Sequence, residues 1–96
     1  MNLVVRPAAE REIRTAASYY ARVAGPWLRD SFLSEVDEAF ASISATPHAF
    51  AVVDGDIRST ALVRFPYRVY YLVADPDVFV IGCLHMRRRP GLHRGR

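Results

Sequence analysis

The dipeptide Gly25-Pro26 falls between two stretches of helical apolar spacing, and it constrains the first half of the chain more than any other feature. Upstream of it, Pro7 suits the opening turn of a helix, where its missing N–H has no partner to lose. From Ala8 to Ala24 the apolar side recurs at Ile13, Ala16, Ala17, Tyr20 and Ala24. Glu10, Arg11, Arg14, Ser18 and Arg22 point elsewhere, as an amphipathic helix requires. Gly25 ends that helix and Pro26 begins a second, whose apolar face is Leu28, Phe32, Val36, Ala39, Phe40 and Ile43 before Thr46-Pro47 closes it. A connection this short predicts an antiparallel helical hairpin with both stripes turned towards a common partner.

That partner is expected in the second half. Ile57–Arg64, Tyr67–Ala74 and Val78–His85 are rich in Val, Ile, Tyr and Phe and are divided by Phe65-Pro66 and Ala74-Asp-Pro-Asp77, so they predict an antiparallel meander. Leu3-Val-Val5 supplies one more strand. The expected fold is α+β, in the order β-α-α-β-β-β, with an antiparallel sheet packed by one face on the N-terminal hairpin and more open on the other. Pro47–Asp56 reads as a loop. With 96 residues, 51% of them apolar, the chain has room for one domain over 1–96. No apolar run approaches the roughly 20 residues that cross a bilayer. The opening Met1-Asn-Leu-Val-Val-Arg6 carries no export leader, so a cytoplasmic protein is expected. A lone Cys83 predicts packing rather than a disulfide, and His48, His85, His93 and Cys83 lack metal-ligand spacing, so no metal or cofactor is expected.

Every one of the thirteen basic residues is Arg. Residues 1–48 carry five Arg against six acids, whereas residues 49–96 carry eight against four. Five of those eight follow His85, in a stretch without an acid, and a basic, flexible tail is expected at 91–96. Such a distribution implies an acidic partner, either protein or nucleic acid, with a solvated chain end as the plain alternative.

Taken together, Tyr19-Tyr20 late in the first helix, Ile57-Arg58 opening a strand, Phe65-Pro-Tyr-Arg-Val-Tyr-Tyr71 and His85-Met-Arg-Arg-Arg-Pro90 resemble the RelE/ParE toxin superfamily, from about Pro7 to Pro90. Arg64-Phe-Pro-Tyr67 and His85-x-Arg-Arg-x-Pro90 are most similar to its ParE-like members. The resemblance implies a type II toxin-antitoxin toxin in a hetero-oligomer with a ParD-like antitoxin, whose acidic C-terminal segment wraps and silences it. ParE members poison DNA gyrase as binders without chemistry of their own, which makes Arg87, Arg88 and Arg89 the expected target contact and leaves no catalytic residue to assign. The nuclease branch instead cleaves messenger RNA on the ribosome, and Arg68 and His85 match residues used there. That chemistry needs a base, an acid and cations for the phosphate. Ser59 and Ala61 stand where such nucleases carry lysines, and no tyrosine follows His85, so the ParE reading is favoured over the nuclease one. A degenerate, non-toxic module that binds its antitoxin is a third reading.

Expected antitoxin contacts are Tyr20, Trp27, Arg58, Arg64 and Arg68. The three arginines are candidates for one anion patch on the open sheet face, since Arg58 and Arg64, six apart, share a face if their strand is regular. Solvation, or ion pairs with Asp54, Asp56 or Asp75, is the plain alternative. His85 has a structural hydrogen bond as its competing role. Trp27, beside the turn, is expected to be partly exposed, whereas core packing is the default for the aromatics around it.

Overall fold

The computed structural model describes residues 1–87; Arg88, Arg89 and the tail 91–96 lie outside the described residues. Strand β1 (Asn2–Val5) is followed by helices α1 (Pro7–Ala24) and α2 (Pro26–Ala45) and by strands β2 (Val52–Asp54), β3 (Ile57–Ala61), β4 (Tyr67–Ala74) and β5 (Asp77–His85). Both helices open on a proline, and Gly25 between them adopts φ 88°, ψ −177°, a conformation open essentially to glycine alone. Its N–H caps α1 on the Ala21 carbonyl and its own carbonyl accepts Leu28 N–H at the start of α2. One residue thus ends one helix and begins the next.

The sheet order is β1-β5-β4-β3-β2. β3, β4 and β5 form the expected antiparallel meander, with the Asp75–Pro76 corner joining the last two. Three features depart from the sequence reading. β1 joins the sheet parallel to β5, Leu3 opposite Val78 and Val5 opposite Val80, so the sheet is mixed rather than wholly antiparallel. Part of the expected loop is a short edge strand, β2, which turns back onto β3 through Gly55 at φ 54°. The Asp54-Gly55 pair is the turn signal for this hairpin. β3 also stops at Ala61 instead of running to Arg64, because the chain bends towards α2 before Pro66.

One sheet face and the hairpin enclose the main core: Ala9, Ala16 and Ala17 from α1, Phe32, Val36 and Ile43 from α2, and Val69, Tyr71, Val78, Val80 and Cys83 from the sheet. The small alanines of α1 let that helix approach β5 closely, while α2 brings the bulk. The second face is not bare, since Ile57, Tyr70, Ile81 and Leu84 are buried there in a cluster of their own. A register irregularity in β5 lies opposite Tyr70 and Tyr71, which pair with Gly82 and Val80 and leave Ile81 as the extra residue. Val78 and Val80 face the hairpin before it, Cys83 after it. The bulge therefore reverses the strand's parity and turns the end of β5, with His85, back towards α1.

Candidate functional site

At the hairpin corner, aromatic rings fix the end of α1 and the start of α2 onto the first residues of β4. Tyr20 lies 5.3 Å from Phe32, 4.9 Å from Phe65 and 6.3 Å from Tyr67, and Phe32 lies 5.3 Å from Phe65. Tyr20 is half-buried in this cluster, and burial, with the neighbouring tyrosines, pushes its hydroxyl above the usual tyrosine pKa. Its first role is packing. Trp27 is 67% exposed and Val23 and Tyr19 beside the same corner are exposed as well, which leaves a large amphipathic ring free at the turn.

The three arginines of the expected patch part company. Arg58 stands opposite Tyr71 and so faces the hairpin, where its Nη1 donates to the carbonyls of His48 (3.2 Å) and Phe50 (2.7 Å). Tyr71 donates its hydroxyl to the Pro47 carbonyl at 2.7 Å, so the two side chains together tie down the segment after α2. Arg64 is not on a strand at all. Its Nε donates to Glu35 Oε2 at 2.7 Å, while Glu35 Oε1 accepts the backbone N–H groups of Val63 (2.9 Å) and Arg64 (3.0 Å). Burial alone would push the Glu35 carboxyl up; the Arg64 hydrogen bonds and the Val63 N–H outweigh it and hold the group below the usual range. Arg68 stands opposite Ala61 on the other sheet face and donates to Ser59 Oγ at 3.0 Å. No common anion patch results. In place of the alternative ion pairs with Asp54, Asp56 or Asp75, these arginines take backbone carbonyls, a buried glutamate and a serine.

His85 stands opposite Tyr67 on the hairpin face, 5.3 Å ring to ring and edge-on. Its Nδ1 accepts the Arg87 N–H at 3.1 Å, which places the proton of the neutral ring on Nε2. Arg68 stands opposite Leu84, one residue away, on the opposite face. The two residues of the nuclease alternative therefore project from opposite sides of the sheet.

A cleft that the sequence reading did not single out runs between α1 and the end of the sheet. One part, of about 700 Å³, is lined by Arg11, Arg14, Thr15, Ser18, Tyr19 and Arg22 with Tyr67 at its edge. The adjoining part, of about 390 Å³, shares Arg11, Thr15 and Tyr67 and reaches Cys83 and His85. Steps of three and four residues from Arg11 to Arg22 put these side chains on one side of α1, a signal present in the sequence but indistinguishable there from an ordinary solvated helix face. Glu12 closes the inner end, its Oε1 accepting Cys83 N–H at 3.0 Å beyond the point where β1 stops pairing. The Cys83 thiol is buried, and burial, reinforced by Glu12, pushes its pKa up to about 12. Among the described residues no group of three His, Cys, Asp or Glu side chains is arranged to hold a metal ion, and no helix is long and apolar enough to cross a membrane.

The chain is a two-helix hairpin on a mixed five-stranded sheet, with an exposed aromatic corner and a basic flank on α1. The family model described as the ParE toxin of the type II toxin-antitoxin system parDE matches residues 3–90, and the chain belongs to that family. Among solved structures it is similar to the chromosomal ParDE toxin-antitoxin system from P. aeruginosa, with a TM-score of 0.73 at 13% identity, covering 88% of this chain and 95% of that one. At that identity the likeness speaks for the fold. No curated protein sequence matches the chain.

Proposed function

We propose that this chain inhibits DNA gyrase as a binder, without chemistry of its own, and is silenced in a hetero-oligomer by the acidic C-terminal segment of a cognate ParD-like antitoxin. The observation that carries the non-enzymatic part is the opposition of Arg68 and His85 across the sheet, because a nuclease needs its cation and its acid or base on one phosphate. Arg87, together with Arg88 and Arg89 beyond the described residues, is the proposed target contact. Trp27 and the exposed guanidinium of Arg64 are the proposed antitoxin contacts, an aromatic anchor and a charge of the kind that dominates protein interfaces. Tyr20, Arg58 and Arg68 contribute to that contact through what they hold in place more than through free side-chain surface.

The test is a supercoiling assay with purified gyrase and the purified chain. Loss of supercoiling with accumulation of cleaved DNA, relieved by the cognate antitoxin, is the expected result. Full supercoiling at toxin excess would contradict the proposal.

A further inference from the structure

The cleft beside α1 has a lining whose chemistry is that of phosphate contacts. Arg, Ser, Thr and Tyr are among the side chains that hydrogen-bond nucleic-acid phosphates, and Arg11, Arg14, Thr15, Ser18, Tyr19 and Arg22 are all of those types. Arg11, Arg14 and Arg22 have no carboxylate within ion-pairing distance among the described residues; the two ion pairs there belong to Arg29 with Asp30 and to Arg64 with Glu35. The carboxylate in the adjoining part, Glu12, is turned onto the Cys83 backbone N–H. Arg22 lies over the Tyr19 ring, 5.9 Å from its centre, which orients the guanidinium without neutralising it.

We propose that this cleft binds the phosphate backbone of a nucleic acid. From Arg11 to Arg22 the helix rises roughly 16 Å, a length over which one duplex strand presents about five phosphates. The rival occupant, an acidic peptide, fits less well. Peptide recognition by a groove draws its affinity from apolar anchors in pockets, and the larger apolar surfaces of this part of the cleft are the ring of Tyr19, which Arg22 already overlies, and Tyr67, set among Thr15, Ala16 and Ser18. His85 lines the far end of the same cleft, its Nδ1 engaged by the Arg87 backbone N–H. Contact with the backbone is independent of sequence and needs neither gyrase nor antitoxin, so its failure leaves the gyrase reading standing, and failure of that reading leaves it standing in turn.

The experiment uses the full chain and a short fluorescein-labelled oligonucleotide, presented as duplex DNA, single-stranded DNA and RNA, with anisotropy followed as salt is raised. Three phosphate contacts predict a roughly 40-fold loss of duplex affinity between about 50 and 200 mM salt. In Arg11→Ala/Arg22→Ala the slope of log affinity against log salt falls by about 2. Arg6→Ala/Arg29→Ala removes the same charge from outside the cleft and keeps the wild-type slope. The three oligonucleotides identify which nucleic acid is preferred, and any of them bound in this manner supports the cleft. Equal weakening in both double variants, no binding to any of the three, or tighter binding to a poly-glutamate peptide than to all of them would overturn the proposal. All four substituted arginines are surface residues, so circular dichroism of both variants is expected to match the wild type.

Discussion

Glu35 and Arg64 are joined twice over: Glu35 Oε2 accepts the Arg64 guanidinium at 2.7 Å, and Glu35 Oε1 accepts the Arg64 backbone N–H at 3.0 Å. Glu35 is only 5% exposed, and it replaces the strand partner that Val63 and Arg64 would have if β3 continued. Glu35→Ala leaves two backbone donors unpaired and is expected to cost about 2 kcal/mol or more in urea unfolding. Arg64→Ala, which removes an exposed guanidinium, is expected to cost less than about 1 kcal/mol. The sign of the pH dependence follows from the lowered Glu35 pKa. A carboxyl depressed in the folded state contributes stability that is present above its unfolded value and is lost as pH falls through the folded one. The stability advantage of the wild type over Glu35→Gln should therefore be full at neutral pH and shrink as pH drops below the ordinary value of 4.5.

Gly25 is expected to resist substitution for a backbone reason. A Cβ there would meet nothing nearer than Trp27 Cδ1 at 4.0 Å, so space is not the obstacle, but φ 88° with ψ −177° is strained for any other residue. Gly25→Ala should cost about 2 kcal/mol, read as a lowered thermal midpoint with an unchanged circular dichroism spectrum.

Trp27 separates binding from folding. At 67% exposure it contributes little to the core, so Trp27→Ala should change stability by less than about 0.5 kcal/mol. If it anchors the antitoxin, the same substitution weakens that complex by about 2 kcal/mol or more in calorimetry. Unchanged affinity would move the antitoxin contact elsewhere.

Cys83 should be inert in the native protein. With the thiol buried and its pKa pushed up to about 12, almost no thiolate exists near neutral pH, and a thiol-specific chromogenic reagent is expected to react at the rate of unfolding. Rapid stoichiometric labelling under native conditions would mean that the β5 edge opens locally.

The helical hairpin was readable from the sequence because its determinants are local: Pro7, Gly25-Pro26 and a face of Ile13, Ala16, Phe32 and Val36 each speak within a few turns of chain. The meander was readable for the same reason. What escaped depends on contacts far apart in sequence or on one inserted residue. The bulge at Ile81 reverses the parity of β5, so strand alternation counted from Val78 misplaces His85. Glu35 draws Arg64 out of the expected strand across 29 positions, and no pattern in either segment announces it. The parallel docking of β1 on β5 depends on where the hairpin returns the chain. Arg11, Arg14 and Arg22 became a cleft only once Tyr67 and His85 were set opposite them.

The most direct test is to induce the chain alone in bacteria and pulse-label DNA and protein synthesis in one culture. Early arrest of DNA synthesis with translation continuing is the result expected of a gyrase inhibitor. Early arrest of translation with cleaved transcripts, abolished by Arg68→Ala, would contradict it.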